Sequence, residues 1–216
     1  MQRRGNQSVP LSNYSIDTFV APHLSELTSV GAPDLEGCTE GYGHWVNNFI
    51  LNTIFRVRLK ERNRQLVLHF LRKVEGAFQE YHEGRDFLAS YLQKRNEAVS
   101  AYFHALRHFE VAASLAYHAY DTVRTMAQEK LFIQDDGSPL QRLNHLQNIS
   151  KHANKELGRG GIPDNLSVPI WLTNTAIECH DTVLSFSEFA ELMKELARLA
   201  EVLSNPPLNK EKSTSA

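Results

Sequence analysis

The sequence predicts an all-α fold: an antiparallel helical bundle with two long helices, plus a small β-hairpin near residues 168–180. Three observations carry that expectation. From His44 to about His82, apolar residues recur at spacings of three and four. A cleaner run, Val99, Tyr102, Leu106, Phe109, Ala113, Ala116, Tyr120 and Val123, alternates the same spacings, which is the heptad period of a seam packed at a shallow angle against an antiparallel neighbour. Only after Val168 does the pattern become strand-like, with Val168, Ile170 and Leu172 alternating, Asn174-Thr175 able to turn, and Ala176 to Cys179 returning.

Taken in order, residues 1–43 hold Pro10, Pro22, Gly31, Pro33, Gly37, Gly41 and Gly43, which interrupt any period. They read as an extended or irregular arm, apart from one short helix around Ser25 to Val30. The helical bundle domain is expected over residues 44–205. Its first stretch carries Phe49, Ile50, Ile54 and Val57, then Val67, Leu71, Val74, Phe78 and Tyr81, but Arg58 to Gln65 is nearly all polar. One long helix with a solvated middle and two separate helices both fit. Gly84 and its polar neighbours mark the turn into the second long helix, about Asp86 to Lys130, which bears the seam.

After the loop Gln134-Asp135-Asp136-Gly137, Ser138 suits an N-cap and Pro139 the first helical position. That helix should stop at Gly158, because Gly158-Arg159-Gly160-Gly161 supplies a left-handed cap and Pro163 prevents continuation. Beyond the hairpin, Ser185-Phe186-Ser187-Glu188 has capping-box spacing, and Phe189, Leu192, Met193, Leu196, Leu199 and Leu203 make the last amphipathic helix. Residues 206–216, PPLNKEKSTSA, read as a flexible polar tail.

Composition excludes some classes of function. With 216 residues and 42% hydrophobic content, the chain can bury a core and is not a disordered tail protein. Lys plus Arg total 23 against 25 Asp plus Glu, so attraction to phosphate or anionic lipid is not a property of the whole molecule and any nucleic-acid contact must be local. Cys38 and Cys179 have no second cysteine near either, which suits a reduced compartment. No stretch approaches the roughly 18 apolar residues of a membrane span. The expectation is a cytoplasmic protein with no membrane partner.

The densest set of functional groups lies on the helix after Pro139. Leu140, Leu143, Leu146, Ala153 and Leu157 give it an apolar stripe, with Asn148, Lys151, His152 and Lys155 on or beside the opposite side. Arg142, His145, Ile149, His152 and Glu156 share a flank, so either a basic, histidine-bearing ridge or a solvated face with pairs such as His152 to Glu156 is expected. A second basic group, Arg56, Arg58, Lys60, Arg62 and Arg64, is opposed only by Glu61. It suits either a phosphate-tracking nucleic-acid contact or a solvated helix.

The segment Gln147-Asn148-Ile149-Ser150-Lys151-His152 resembles the signature of the HEPN superfamily, whose pattern is Arg, a polar residue often Asn, several variable positions, then His. Asn148 and His152 match the polar residue and the histidine, Lys151 precedes the histidine as in many members, and Gln147 stands where the family has arginine. The resemblance covers this motif and a compatible order of two long helices before it. It implies a small helical bundle, a homodimer in which two motifs meet, and metal-independent binding or cleavage of RNA or a nucleotide in a defence or toxin-antitoxin role. In that reading His152 is the catalytic proton-transfer group and Asn148 its orienting neighbour, while Lys151, Gln147, Arg142 and His145 contact substrate. Glutamine cannot form the bidentate phosphate fork of arginine, so a catalytically degenerate member is also implied.

Other chemistries have less support. His104 and His108 are four apart, but no Glu-x-x-His accompanies them, and His145 and His152 are about 10 Å apart along a helix axis, too far to share one ion without a third element. No metal and no cofactor are therefore expected. There is no Gly-x-Ser-x-Gly elbow, and Cys179 beside His180 on a strand would point to the opposite face. The competing functional class is a non-enzymatic interaction module whose seam helix or last helix docks a protein partner.

Overall fold

The heptad seam is buried against the other long helix. The computed structural model describes residues 12–38, 44–55, 60–94, 99–160, 163 and 166–205. Helix α3, Glu61–Gln93, runs antiparallel to α4, Ser100–Ala127. Tyr91 meets Tyr102 at 5.7 Å between ring centroids, Tyr81 meets Phe109 at 5.6 Å, and Gly76 lies against Leu115. Of the seam, Tyr102, Leu106, Phe109, Ala113, Ala116 and Tyr120 are buried and Val99 and Val123 half-buried. The heptad period keeps one stripe facing one neighbour along the whole helix.

The turn expected at Gly84 is absent, because α3 continues through it to Gln93. Gly84 is buried, and a Cβ there would come within 3.1 Å of the Phe109 ring. The glycine admits the ring, which offsets the roughly 0.5–1 kcal/mol that glycine costs inside a helix. Upstream, the first stretch is two helices: α2, Trp45–Phe55, and then α3. Val57, and with it Arg56 and Arg58 of the basic group, lies outside the described residues.

Two further helices and a sheet follow α4: α5, Pro139–Gly158, then β1, Ile170–Leu172, β2, Ala176–Cys179, β3, Val183–Ser185, and α6, Phe186–Ser204. The strands pair antiparallel in the order β1-β2-β3, with Trp171 opposite Glu178 and Ile177 opposite Leu184. The hairpin thus gains a third strand, too short to carry a period of its own. Helix α6 sets Phe186 and Phe189 against Phe109 and Tyr81 at 5.1 and 5.7 Å. Trp45 and Trp171 are both buried, Trp45 edge-on to Phe78 at 5.8 Å.

The capping box opens α6: Ser185 Oγ accepts from the Glu188 N–H at 3.2 Å, and Glu188 accepts from the Ser185 N–H at 3.1 Å. Ser185→Ala should cost about 1 kcal/mol of unfolding free energy, since it orphans the Glu188 N–H. Urea denaturation followed by circular dichroism reads this out, and an unchanged midpoint would deny the cap its role.

Residues 12–38 do more than the expected arm. Ser12 caps a first helix, α1, Asn13–Phe19, and 3-10 turns follow at Leu24–Glu26 and Glu36–Cys38 in place of the helix expected from Ser25 to Val30. Ile16, Val20, Ala21, Leu24, Leu27, Ala32 and Leu35 are buried. Asn174 in the β1–β2 turn accepts from the N–H groups of Thr28 and Ser29 and donates to the Glu26 carbonyl. A Cβ on Gly31 would stand 1.8 Å from the Asn174 carbonyl oxygen, so only glycine permits this approach. An irregular segment buries apolar side chains without a period, which is why periodicity does not reveal it. Among the described residues, no helix is long and apolar enough to cross a membrane.

Candidate functional site

Helix α5 begins as its sequence dictates, with Ser138 Oγ accepting from the Gln141 N–H at 3.1 Å and Pro139 at the first position. It ends at Gly158, and Gly160 takes the left-handed conformation at φ 71°. Leu143, Leu146 and Ile149 are its buried residues. Ile149 thus belongs to the core side instead of the histidine flank, and Leu157, expected in the stripe, is exposed. Asn148, Lys151, His152 and Lys155 all face solvent, and Gln147 is half-buried. Among the described residues none of Lys151, His152 and Lys155 makes an ion pair; the Glu156 side chain lies outside them.

Arg142 is committed elsewhere. Its guanidinium pairs with Glu188 and donates to the Gly137 carbonyl at 2.5 Å, tying the start of α5 to the capping box of α6. It stands ten residues from His152, about 15 Å along the axis. Asn148 donates only a long bond, 3.5 Å, to Asn144.

Three helices bring basic residues within electrostatic reach of one another beside the motif. Burial lowers the pKa of His118 on α4, and Lys73 and His69 of α3 with Lys151 of α5 lower it further, while Asp121 opposes them. Asp121 is itself paired with Arg124 at 2.7 Å. Helical spacing places Arg62, His69 and Lys73 on one side of α3, spanning about 16 Å. Arg62 also borders a groove of about 470 Å³ with Leu66, Thr125, Met126 and Gln128. Arg62, Lys73 and Lys151 therefore outline a basic strip from α3 to α5, with His69 and His118 among them. Arg64 falls on the other side of α3, in a smaller groove against Phe49 and Ile50 of α2. His69 and Lys73 of α3 and His118 of α4 escape sequence reasoning because only the packing of three helices brings them near Lys151 of α5.

On its sheet side, α5 presents a second cluster. His145 Nε2 lies 2.9 Å from Asp181 Oδ1, the Cys179 thiol donates to the same oxygen at 3.2 Å, and His180 Nε2 is 3.5 Å from Asp181 Oδ2. Burial would raise the Asp181 carboxyl, but the Cys179 hydrogen bond and the charges of His145 and His180 outweigh it and hold the group below its ordinary value. Burial pushes the Cys179 thiol up to about 11, so it is no nucleophile at neutral pH. Cys179 ends β2, so its neighbours in the following turn escape the strand alternation that would have separated them.

His104 and His108 do not act as a pair. Both stack on Phe87, at 5.1 Å each, and His108 Nδ1 is held by Glu80 at 2.6 Å. Nearby on α4, burial pushes Glu110 up to about 7.

No family model, curated protein or solved structure matches this chain. The functional reading rests on the residues themselves.

Proposed function

We propose that this chain is a HEPN-like bundle that binds RNA, or the phosphates of a nucleotide, along the strip from Arg62 to Lys151 without cutting it. One observation carries the reading: Lys73 and His69 of α3 and Lys151 of α5 all act electrostatically on His118 of α4, on a chain whose net charge is -2. Phosphate contacts dominate nucleic-acid affinity, and a local strip supplies them where total charge does not. Asn148 and His152, exposed one helical turn apart beside Lys151, add hydrogen-bonding groups for ribose or base. Binding is favoured over cleavage because Gln147 carries no charge and Arg142 is engaged by Glu188. A homodimer pairing two α5 faces would double the strip.

The test replaces Lys73 and Lys151 together by glutamine and follows fluorescence anisotropy of a mixed-sequence single-stranded RNA at several salt concentrations. Two lost phosphate contacts should flatten the slope of log K against log salt by about 1.4 and weaken binding at low salt about tenfold or more. Equal affinity and equal slope would overturn the proposal. RNA incubated with the wild type should stay intact. Cutting that disappears in His152→Ala would replace the binding reading with the enzyme.

A second reading, the protein-interaction module, draws on α2, where Ile50, Leu51 and Ile54 are exposed beside the smaller groove. The seam of α4 and the apolar side of α6 are buried inside the bundle, so docking through either helix would use its outer face, where Phe103 and Val111 of α4 and Val202 of α6 are exposed. The apolar residues grouped on α2 are the feature that favours that class.

A further inference from the structure

We propose that His145, Cys179 and Asp181 form a zinc site joining α5 to the β2–β3 turn. The three ligand atoms, an imidazole nitrogen, a thiol sulfur and a carboxylate oxygen, lie within 4.8 Å of one another. Nitrogen and sulfur donors together select a borderline-soft ion such as Zn²⁺ over magnesium or calcium, which take oxygen. Ordinary zinc bond lengths in a tetrahedron place nitrogen and oxygen about 3.3 Å apart, and sulfur and oxygen about 3.6 Å apart. The observed 2.9 Å and 3.2 Å are each a few tenths of an ångström short of those edges. A small outward movement of Asp181, in a turn, opens the site to an ion.

Backbone hydrogen bonds hold the segment that carries two of the ligands. Cys179 is opposite Ile170 in the ladder and its N–H bonds the Thr182 carbonyl at 2.9 Å, which closes the turn carrying His180 and Asp181. His145 projects from the middle of α5, one residue from the buried Leu146. His180, on the outer oxygen of Asp181, orients the carboxylate as a supporting group. The half-exposed His145 and Asp181 side chains leave the fourth position to water. On binding, the Cys179 S–H bond breaks and a Zn–S bond forms, the proton passing to solvent; the His145 Nε2–H bond also breaks, its proton leaving to solvent while Nδ1 keeps or takes up one, and the freed Nε2 lone pair forms the Zn–N bond. The hydrogen bonds of His145 and Cys179 to Asp181 are exchanged for bonds to the ion. Among the described residues, the two other clusters of comparable size, Glu80 with Glu83 and His108, and Asp34 with Glu36 and His82, contain no sulfur.

Cobalt(II) tests the site, because a thiolate ligand gives it a near-ultraviolet charge-transfer band and four-coordination gives it intense visible bands. Metal-free protein titrated with cobalt should develop both at one equivalent per chain, and one equivalent of zinc should abolish them. Cys38→Ser should leave the spectrum unchanged and Cys179→Ser should remove the charge-transfer band. Because Cys179 is buried, His145→Gln on the partly exposed flank serves as the second variant. It should keep its far-ultraviolet circular dichroism while zinc affinity in a chelator competition falls at least about tenfold. The proposal is overturned if the wild type shows no thiolate band at one equivalent, if the band survives Cys179→Ser or vanishes in Cys38→Ser, or if folded His145→Gln binds zinc as the wild type does.

Discussion

Phe109→Ala should lower the unfolding free energy by about 3–5 kcal/mol, the usual cost of deleting a fully buried aromatic ring. Phe109 has 0% exposure, and its ring packs on two other helices: on Tyr81 and Gly84 of α3, and on Phe186 of α6. Few neighbours can move into the cavity, because Gly84 has no side chain to fill it and the aromatic partners are fixed by their own contacts. A loss of that size consumes a large part of the 5–15 kcal/mol that holds a typical domain together. Urea denaturation followed by circular dichroism measures it, and a loss below 1 kcal/mol would mean that the ring is not the centre of the core. Gly84→Ala provides a coupled check. Its Cβ crowds Phe109 in the wild type but meets open space in Phe109→Ala, so the added methyl should be better tolerated in the second background.

Glu110→Gln should stabilise the protein at pH 8 by about 2–3 kcal/mol and have little effect at pH 5. Burial raises the folded-state pKa of Glu110 to about 7 from 4.5, a change equivalent to about 3 kcal/mol. The folded state therefore holds this proton more tightly than the unfolded chain. Below pH 4.5 the group is protonated in both states and costs nothing extra. Stability falls as pH rises from about 4.5 to 7, and above 7 the full cost of a buried carboxylate remains. Glutamine keeps the shape without the charge. Paired urea curves at pH 5 and pH 8 decide the matter: a difference between variant and wild type that is the same at both values would show that Glu110 titrates normally.

Signals that act over a few residues were legible in the chain itself. Ser138-Pro139 starts α5 and Ser185 with Glu188 starts α6 because a cap satisfies amides within its own first turn, and the seam from Val99 to Val123 is a periodicity of one helix. The all-α class, the small sheet and the solvent-facing Asn148, Lys151 and His152 follow from such local rules. Gly84 shows where they stop: as a sequence signal it reads as a turn, and only the Phe109 ring across the interface explains a glycine within α3. The same limit hid the burial of Ile16 to Leu35, whose irregular backbone has no period, and the commitment of Arg142 to Glu188, 46 residues away. Lys73, His118 and Lys151, like His145, Cys179 and Asp181, sit on separate elements. Period and capping depend on neighbours along the chain, whereas a cluster of charges or ligands exists only once packing decides which faces meet.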